Sequence, residues 1–325
     1  MTAPAPAAVR TTWSWPRVLG VTGAVLLVAM VVHVVALVLL GGPVGGPVSL
    51  RKPATFAETG WLLCWSVALV LARLRMRPWQ RHVVGVAVLA FAVVEPVVMG
   101  IQAWRGVPSH YNFSTPFDAA LVRIGAAGTA AVFVVGMVVL LVATLRSPGT
   151  SSHGTPPELR LGVAAGVVVT LVACAVGMVM ISTNSGVYRG GLGSGFGRTG
   201  AYFGPDAATV GPDYAGFRPA TAGGDLVLPH AVGVHGMLLL AVPAVLLAGT
   251  AAHHRLALVA TMVGAVLLAL AVLLVHAFRM LPLDALGVPA LVVLALCVLA
   301  YLGALASAGR SLLASRSTSR RVTSA

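Results

Sequence analysis

The chain has 325 residues, of which 58% are hydrophobic and only 9% are charged. A water-soluble domain of this length could not bury so much apolar surface, so the composition excludes a soluble protein and indicates an integral membrane protein. The formal net charge is +13, but every basic residue except Lys52 is an arginine, and the arginines gather between apolar stretches. This arrangement favours a membrane-topology signal over nucleic-acid binding, so we expect a lipid bilayer and no nucleic acid as partner.

Eight apolar stretches follow one another along the chain. They cover residues 18–40, 54–73, 83–102, 119–145, 160–182, 230–251, 256–278 and 287–308. Stretches of about 20 apolar residues match the hydrocarbon core of a bilayer, and in lipid each must be a helix because its backbone amides need partners. A transmembrane β-barrel would need alternating apolar and polar residues, which the run 25–40 lacks. The sequence therefore predicts an all-α, polytopic transmembrane helix bundle.

The basic residues are distributed unequally between the two sides of the predicted membrane. Thirteen of them fall on the side of the termini and eight on the other side. The densest group is Arg73, Arg75, Arg77 and Arg81, between the second and third stretches. Because positively charged loops stay in the cytoplasm, we predict that both termini are cytoplasmic in a multi-pass protein of a bacterial cytoplasmic membrane.

The two halves of the chain share short motifs at corresponding helix ends. The paired segments are 53–63 with 229–239, 102–105 with 276–279, and 116–119 with 282–285. Three matches in the same order predict a duplicated four-helix unit, with residues 1–158 as the first repeat and 159–325 as the second. Four helices per unit keep both copies in the same orientation, as in the parallel repeats of some transporters.

Glycine marks two further features of the second half. Gly162 and Gly166 lie four residues apart on a predicted helix and would let another helix approach closely. Residues 183–228 form a long extracytoplasmic connection with several aromatic residues, which we interpret as a lid over the outer mouth of the bundle. The segment 191–197 has the glycine spacing of a dinucleotide-binding loop, but it follows no predicted strand, so that interpretation is excluded.

Ionisable residues inside the predicted helices are the main functional signal, because such groups are expensive in a membrane. His33, Glu58, Glu95 and His235 come from four different helices. At about 1.5 Å per residue, all four lie roughly 8–10 Å below the outer helix ends. They are therefore our candidates for a shared ligand site or a proton relay.

A second group of candidates lies nearer the outer surface: His110, Asn112, Asp118, Arg123, His230, His276 and Arg279. For Asp118 the alternative is ordinary helix-start chemistry, since it follows a proline at the first turn. The two arginines could neutralise Glu95, Asp118 or an anionic substrate, or could simply extend to the membrane interface. His230 and His235 are about 140° apart on a regular helix, so they would share a small ion only if the helix were distorted.

Three kinds of chemistry fit the layer roughly 8–10 Å below the outer helix ends, which contains His33, Glu58, Glu95 and His235. Haem b needs one or two axial histidines, which His33, His235 and His276 would supply. A divalent metal needs histidine and carboxylate ligands, for which His33, Glu58, Glu95 and His235 are suitable. A proton-coupled carrier needs carboxylates and imidazoles beside a water-filled path, and the same residues would serve.

Two motifs carry a resemblance to a known group of proteins. The SHYN motif at 109–112 and the GGDLVLPHAVGVH motif at 223–235 resemble a family of bacterial polytopic membrane proteins over most of the membrane region. The resemblance implies no reaction, but it marks as motif positions Ser109, His110, Asn112, Asp225, His230 and His235. The four-plus-four plan is also similar to haem A synthase. Because Ala54 and Thr59 stand where the second half has His230 and His235, we take that likeness as one of architecture only.

The leading functional expectation is a haem- or metal-dependent membrane redox protein with its site on the extracytoplasmic side. The alternatives are a proton-coupled permease or carrier for a small molecule taken from that side, and an accessory subunit of a membrane complex. A serine hydrolase is not expected, because no GxSxG motif is present.

Overall fold

The computed structural model describes residues 14–42, 49–107, 112–147, 154–184, 202–203, 224–250, 254–279, 281 and 283–323. Within these ranges the chain is mostly helical, and the only strands are a two-residue antiparallel pairing of Tyr202–Phe203 with Gly224–Asp225. The predicted all-α class is thereby confirmed. His110 and most of the predicted lid at 183–228 lie outside the described residues.

Ten α-helices are present in the described ranges. They are α1 (Trp15–Leu40), α2 (Arg51–Arg73), α3 (Pro78–Trp104), α4 (Pro116–Val122), α5 (Ala130–Leu145), α6 (Pro157–Asn184), α7 (Val227–Val234), α8 (Val242–Leu247), α9 (Arg255–Phe278) and α10 (Val288–Thr323). A π-helical turn, Arg123–Thr129, joins α4 to α5, and a second, Met237–Ala241, leads into α8. A single 3₁₀ turn, Leu283–Ala285, precedes α10.

Seven of the described helical segments are long and apolar enough to cross a membrane, and the bent pair α7–α8 makes an eighth if it is one span. These segments coincide with the eight predicted stretches. Several begin about three residues earlier than predicted, at Trp15, Pro116 or Pro157. Proline is favoured in the first helical turn because the N–H it lacks would be unpaired there, so the helices begin before the apolar run does.

The neighbour pattern of the first half recurs in the second. In the first half, α1 packs on α2 and α3, α2 packs on α3, and α3 packs on α5. In the second half, α6 packs on α7, α8 and α9, the bent pair packs on α9, and α9 packs on α10. The halves meet where α5 contacts α6 and where α2 contacts the π turn Met237–Ala241 and α8. This pattern supports the duplicated unit, which itself stays a prediction.

The first and last helices lie at the edge of the bundle. Only 11% of the most apolar window is buried in α1 and in α10, against 56% in α2. Their outward side chains are valine and leucine, for example Val25, Val32, Leu299 and Leu302. A helix that is apolar on all sides and poorly covered by protein is suited to contact with lipid tails.

Small residues bring α6 and the bent pair into backbone contact. A Cβ atom at Gly166 would lie 3.0 Å from the Gly236 carbonyl oxygen, and one at Gly236 would lie 2.7 Å from the Gly166 carbonyl oxygen. One turn away, Gly162 faces Ala244 in the same manner. The predicted close approach at Gly162 and Gly166 is confirmed, and its partner is the helix that carries His230 and His235.

Candidate functional site

Glu95 is a buried carboxyl in the middle of α3, with 4% of its surface exposed. Thr129, at the end of the π turn Arg123–Thr129, donates a hydrogen bond from its hydroxyl to Glu95 Oε1 at 2.9 Å. Among the described residues no arginine, lysine or histidine forms an ion pair with Glu95. The carboxyl is therefore held by a neutral partner rather than by a charge.

The Thr129 hydroxyl also lies within hydrogen-bond distance of the Gly125 carbonyl oxygen, inside the same π turn. A hydroxyl carries one proton, so it cannot donate to both oxygens at once. Both contacts are satisfied together when Glu95 is in its acid form and donates to Thr129, which then donates to Gly125. The arrangement thus connects a proton on Glu95 to the hydrogen bonding of the π turn.

Pro96 places an irregularity in α3 directly beside Glu95. Proline has no N–H, so the carbonyl four residues earlier, that of Ala92, loses its helical donor. The Ala92 carbonyl faces α2 at Gly60, where an added Cβ would lie 3.0 Å from the oxygen. Glu95 therefore lies between two irregular segments, the proline site of α3 and the π turn that contains Gly125.

His33 is on the opposite side of α3 from Glu95. Its Nδ1 is 2.8 Å from the Ala29 carbonyl oxygen, and its Nε2 accepts a hydrogen bond from Trp104 Nε1 at 3.2 Å. Trp104 is nine residues from Glu95, about 180° around a regular helix. Both ring nitrogens of His33 are occupied, so His33 does not fit as an axial ligand of haem or as a ligand shared with Glu95.

The predicted four-residue layer does not converge in this structure. Glu58 is exposed on α2, Glu95 faces Thr129, and His33 is engaged by Trp104. In the described part of the chain, no group of three or more His, Cys, Asp and Glu side chains is placed to hold a metal ion. The residue set His33, Glu58, Glu95 and His235 therefore does not fit a divalent metal as the side chains stand.

His235 occupies a break in the sixth span. The segments Val227–Val234 and Met237–Leu247 meet at an angle of 44°, and His235 lies at the junction. Its Nδ1 is 2.8 Å from the Ala231 carbonyl oxygen, and no hydrogen bond engages its Nε2 within the described residues. The nearby Pro243 cannot donate to the Leu239 carbonyl. Instead, the Tyr301 hydroxyl of α10 donates to that carbonyl at 2.9 Å.

His230 and Asp225 organise the start of the same span. His230 Nδ1 is 3.0 Å from the Ala173 carbonyl oxygen of α6, beside Gly177. Asp225 Oδ1 accepts a hydrogen bond from the Val227 backbone N–H at 2.7 Å, at the first turn of α7. His230 therefore connects α7 to α6, and Asp225 provides an acceptor for one N–H of the first turn of α7. Both are structural roles.

Asp118 is the centre of a polar clamp between the end of α3 and the start of α4. Asp118 Oδ1 accepts from Arg105 Nη1 at 2.6 Å and from Gln102 Nε2 at 2.9 Å, and Oδ2 accepts from the Thr115 hydroxyl at 2.6 Å. The backbone N–H of Asp118 in turn donates to Thr115 Oγ1 at 3.1 Å. The helix-start interpretation of Asp118 is confirmed, and its charge partner is Arg105 instead of the expected Arg123 or Arg279.

The chain reverses at Gly106 to form this clamp. Gly106 has a φ of 66°, its N–H donates to the Ala103 carbonyl, and the Val107 N–H donates to the Gln102 carbonyl. This is the helix ending that glycine permits, and it directs the chain back toward α3. Gln102 and Arg105 were not among the residues predicted from the sequence. Their spacing of three residues, directly before a glycine that can end a helix, was the signal that could have identified them.

Asn112 adds a buried amide beside the clamp. Its Oδ1 accepts from the Ser114 hydroxyl at 2.5 Å and from the Ser114 N–H at 3.2 Å. Its Nδ2 is buried and has no hydrogen-bond partner in the part of the chain that the structure describes. An unpaired buried amide has a cost of about 1–3 kcal/mol, which an ordered water would relieve.

Arg123, His276 and Arg279 lie on the side of the bundle that the arginine distribution predicts to be extracytoplasmic. Arg123 is exposed at the start of the π turn, and Arg279 is exposed at the end of α9. His276 is buried, one turn before Arg279, and both residues line a groove between α9 and the start of α10. Neither arginine forms an ion pair with Glu95 or Asp118 in the described structure.

Comparison with known proteins gives no match: no protein-family model, no curated protein and no solved structure matches this chain. The resemblance of the motifs at 109–112 and 223–235 to a bacterial membrane family therefore stays a prediction, as does the architectural likeness to haem A synthase. Functional inference depends on the geometry of the chain itself.

Proposed function

We propose that this chain is a proton-coupled carrier that moves a small molecule across the cytoplasmic membrane of a bacterium, with both termini in the cytoplasm and Glu95 as the proton-carrying residue. The observation that carries the proposal is the contact between the buried Glu95 carboxyl and the Thr129 hydroxyl. A carboxyl inside a membrane span is expensive, and such groups mark ion paths and proton relays.

The environment of Glu95 supports a proton site more than a structural ion pair. A structural carboxylate would be expected to have a cationic partner, as Asp118 has in Arg105. Glu95 instead contacts a hydroxyl. When the carboxyl carries a proton, it can donate to Thr129 while Thr129 donates to the Gly125 carbonyl, so both contacts are hydrogen bonds. Loss of that proton turns the Thr129 hydroxyl toward the carboxylate and removes the hydroxyl hydrogen bond from the Gly125 carbonyl.

Irregular helices provide the conformational element that a carrier requires. Single-turn π segments inside α-helices are frequent at functional sites, and broken spans line the substrate sites of many transporters. One π segment ends at Thr129, and the other follows His235 at the 44° bend of the sixth span. In the proposed mechanism, release of the proton by Glu95 loosens the π turn Arg123–Thr129, and the Nε2 of His235, which no described residue engages, meets the substrate near the outer side.

The test is proton movement by purified protein in liposomes loaded with a pH-sensitive dye. A panel of small metabolites is added outside, and the change of internal pH is recorded for the wild type, for Glu95→Gln and for Glu58→Gln. Glu58 is the matched control, because it is the other carboxyl of the predicted layer but is exposed on α2. We expect at least one compound class to drive proton uptake in the wild type and in Glu58→Gln.

Glu95→Gln should reduce that uptake by at least about tenfold while the variant keeps its fold, because an amide cannot release a proton. Circular dichroism and gel filtration in detergent establish that the fold is kept. Unchanged proton uptake in Glu95→Gln, or no proton movement by the wild type with any compound class, would contradict the proposal.

A further inference from the structure

The polar clamp around Asp118 has a sequence counterpart in the second half of the chain. In the repeat alignment, Gln102 corresponds to His276, Arg105 to Arg279, and Asp118 to Asp284. The same three positions therefore offer a hydrogen-bonding side chain, a guanidinium and a carboxylate at the outer end of both α3 and α9.

In the first half the clamp is closed by its own carboxylate. Asp118 is buried and accepts from Arg105 and Gln102 at 2.6 and 2.9 Å. Asp118 follows Arg105 by thirteen positions. This length allows the chain to turn at Gly106 and return, so that Asp118 lies in the first turn of α4. The guanidinium of Arg105 also lies 5.0 Å from the ring centre of Phe117.

In the second half the corresponding clamp is open. Asp284 follows Arg279 by only five positions, and it lies exposed in the 3₁₀ turn Leu283–Ala285, before α10 begins. Within the described residues Arg279 makes no ion pair, and its side chain makes no hydrogen bond. No carboxylate among the described residues takes the position at Arg279 that Asp118 takes at Arg105.

The open clamp lies at one end of an apolar groove. The groove, of about 290 Å³, runs between α9 and the start of α10, and its lining includes Ala271, Val272, Val275 and Leu286 together with His276 and Arg279. Val275 and Leu286 are partly exposed, so the groove opens on the lipid-facing side. A cation at the membrane interface with apolar surface below it matches the two parts of a lipid molecule, an anionic headgroup and a hydrocarbon chain.

We propose that this groove binds an anionic phospholipid, with the headgroup phosphate on Arg279 in the place that Asp118 takes on Arg105, and with one acyl chain along the apolar wall. Charge complementarity carries this choice of ligand, because no carboxylate of the described residues pairs with Arg279 and a phosphate matches the guanidinium fork. The site is separate from the proposed proton site at Glu95, and its test needs no transport assay.

The experiment measures lipid binding to the detergent-purified full chain by native mass spectrometry. Phosphatidylglycerol and phosphatidylcholine with identical acyl chains are compared for the wild type, for Arg279→Gln and for Arg123→Gln. Arg123 is the matched control, because it is also an exposed arginine at the outer end of a span. We expect phosphatidylglycerol to bind the wild type and Arg123→Gln, and to bind Arg279→Gln at least about tenfold more weakly, since the variant loses the charge-assisted hydrogen bonds to the phosphate.

A second variant tests the groove itself. Ala271→Phe fills the apolar wall without changing any charge, and it should also weaken phosphatidylglycerol binding, so the proposal stays testable if Arg279→Gln does not fold. Equal binding of the two lipids, undiminished binding to Arg279→Gln or to Ala271→Phe, or equally tight binding of glycerol phosphate without acyl chains would each overturn the proposal.

Discussion

At the scale of single residues, the clamp at Asp118 can be separated into its charge and its hydrogen bonds. Asp118 accepts hydrogen bonds from Arg105, Gln102 and Thr115, and 3% of its side chain is exposed. The side chain of Arg105 is 40% exposed, so solvent weakens the purely electrostatic part of the pair. Most of the stabilisation should therefore come from keeping buried donors satisfied rather than from the pairing of charges.

We predict that Asp118→Ala lowers the free energy of unfolding by about 2 kcal/mol, because Gln102 and Thr115 lose their acceptor in a covered site. In a double-mutant cycle with Arg105→Ala, the coupling energy between the two residues should be about 1 kcal/mol. The measurement is unfolding of the detergent-solubilised protein by SDS titration. Additive effects of the two substitutions would show that the contact contributes nothing, and high salt should reduce the coupling only slightly.

Residue types and spacing predicted part of this site. That Asp118 begins a helix followed from the proline two residues earlier, and the structure confirms it. Arg105 is its partner because the chain reverses at Gly106, where the backbone has a positive φ. Residue spacing alone does not predict that reversal. An equal predicted depth in the membrane also did not bring His33 and Glu95 together. His33 contacts the side of α3 that lies opposite Glu95.

At the scale of helices, the contact between α6 and the bent pair depends on the absence of side chains. Gly166 and Gly236 face each other so closely that an added Cβ at either would press on the carbonyl of the other. The opposing atoms are backbone, which cannot rotate away. Close backbone approach between membrane helices improves van der Waals packing, and it positions His230 and His235 against α6.

We predict that Gly236→Ala lowers the free energy of unfolding by about 1–3 kcal/mol, as overpacking does in a tight interior. The matched control is Gly264→Ala in α9, an exposed position where an added Cβ meets nothing within 4 Å. That substitution should be neutral or slightly stabilising, because alanine favours the helix more than glycine does. Equal effects of the two substitutions, measured by the same SDS titration, would mean that the contact is not tight in the folded protein.

The sequence predicted the existence of eight helical stretches better than their internal shape. Apolar length alone identifies a span, since any helix that crosses lipid must satisfy its own backbone. The bend of 44° at His235 and the π turn Arg123–Thr129 left no such signal. They depend on partners far along the chain, such as Tyr301 for the Leu239 carbonyl and Glu95 for Thr129.

At the scale of the whole molecule, the two halves have the same neighbour pattern but differ at their outer ends. The first half closes its polar clamp with Asp118, whereas the second leaves Arg279 exposed beside a groove. If the two halves are a duplicated unit in one orientation, a change of connector length at one of two equivalent positions is enough to separate their roles. The first half then holds the proposed proton site at Glu95, and the second half presents the proposed lipid groove.

The arginine distribution predicts the orientation of this bundle in the membrane. We expect the α2–α3 connector, with Arg73, Arg75 and Arg77, to be cytoplasmic and the α9–α10 connector, with Asp284, to be extracytoplasmic. A cysteine introduced as Asp284→Cys should then react with a membrane-impermeant maleimide in right-side-out vesicles, whereas Arg75→Cys should react only after the vesicles are opened.

Both positions are exposed in the structure, so access depends on the side of the membrane alone. The wild type, whose cysteines Cys64 and Cys297 are buried and Cys174 half-buried, supplies the background. Labelling of Arg75→Cys in closed vesicles, with Asp284→Cys protected, would reverse the orientation and place the proposed lipid groove in the cytoplasmic leaflet.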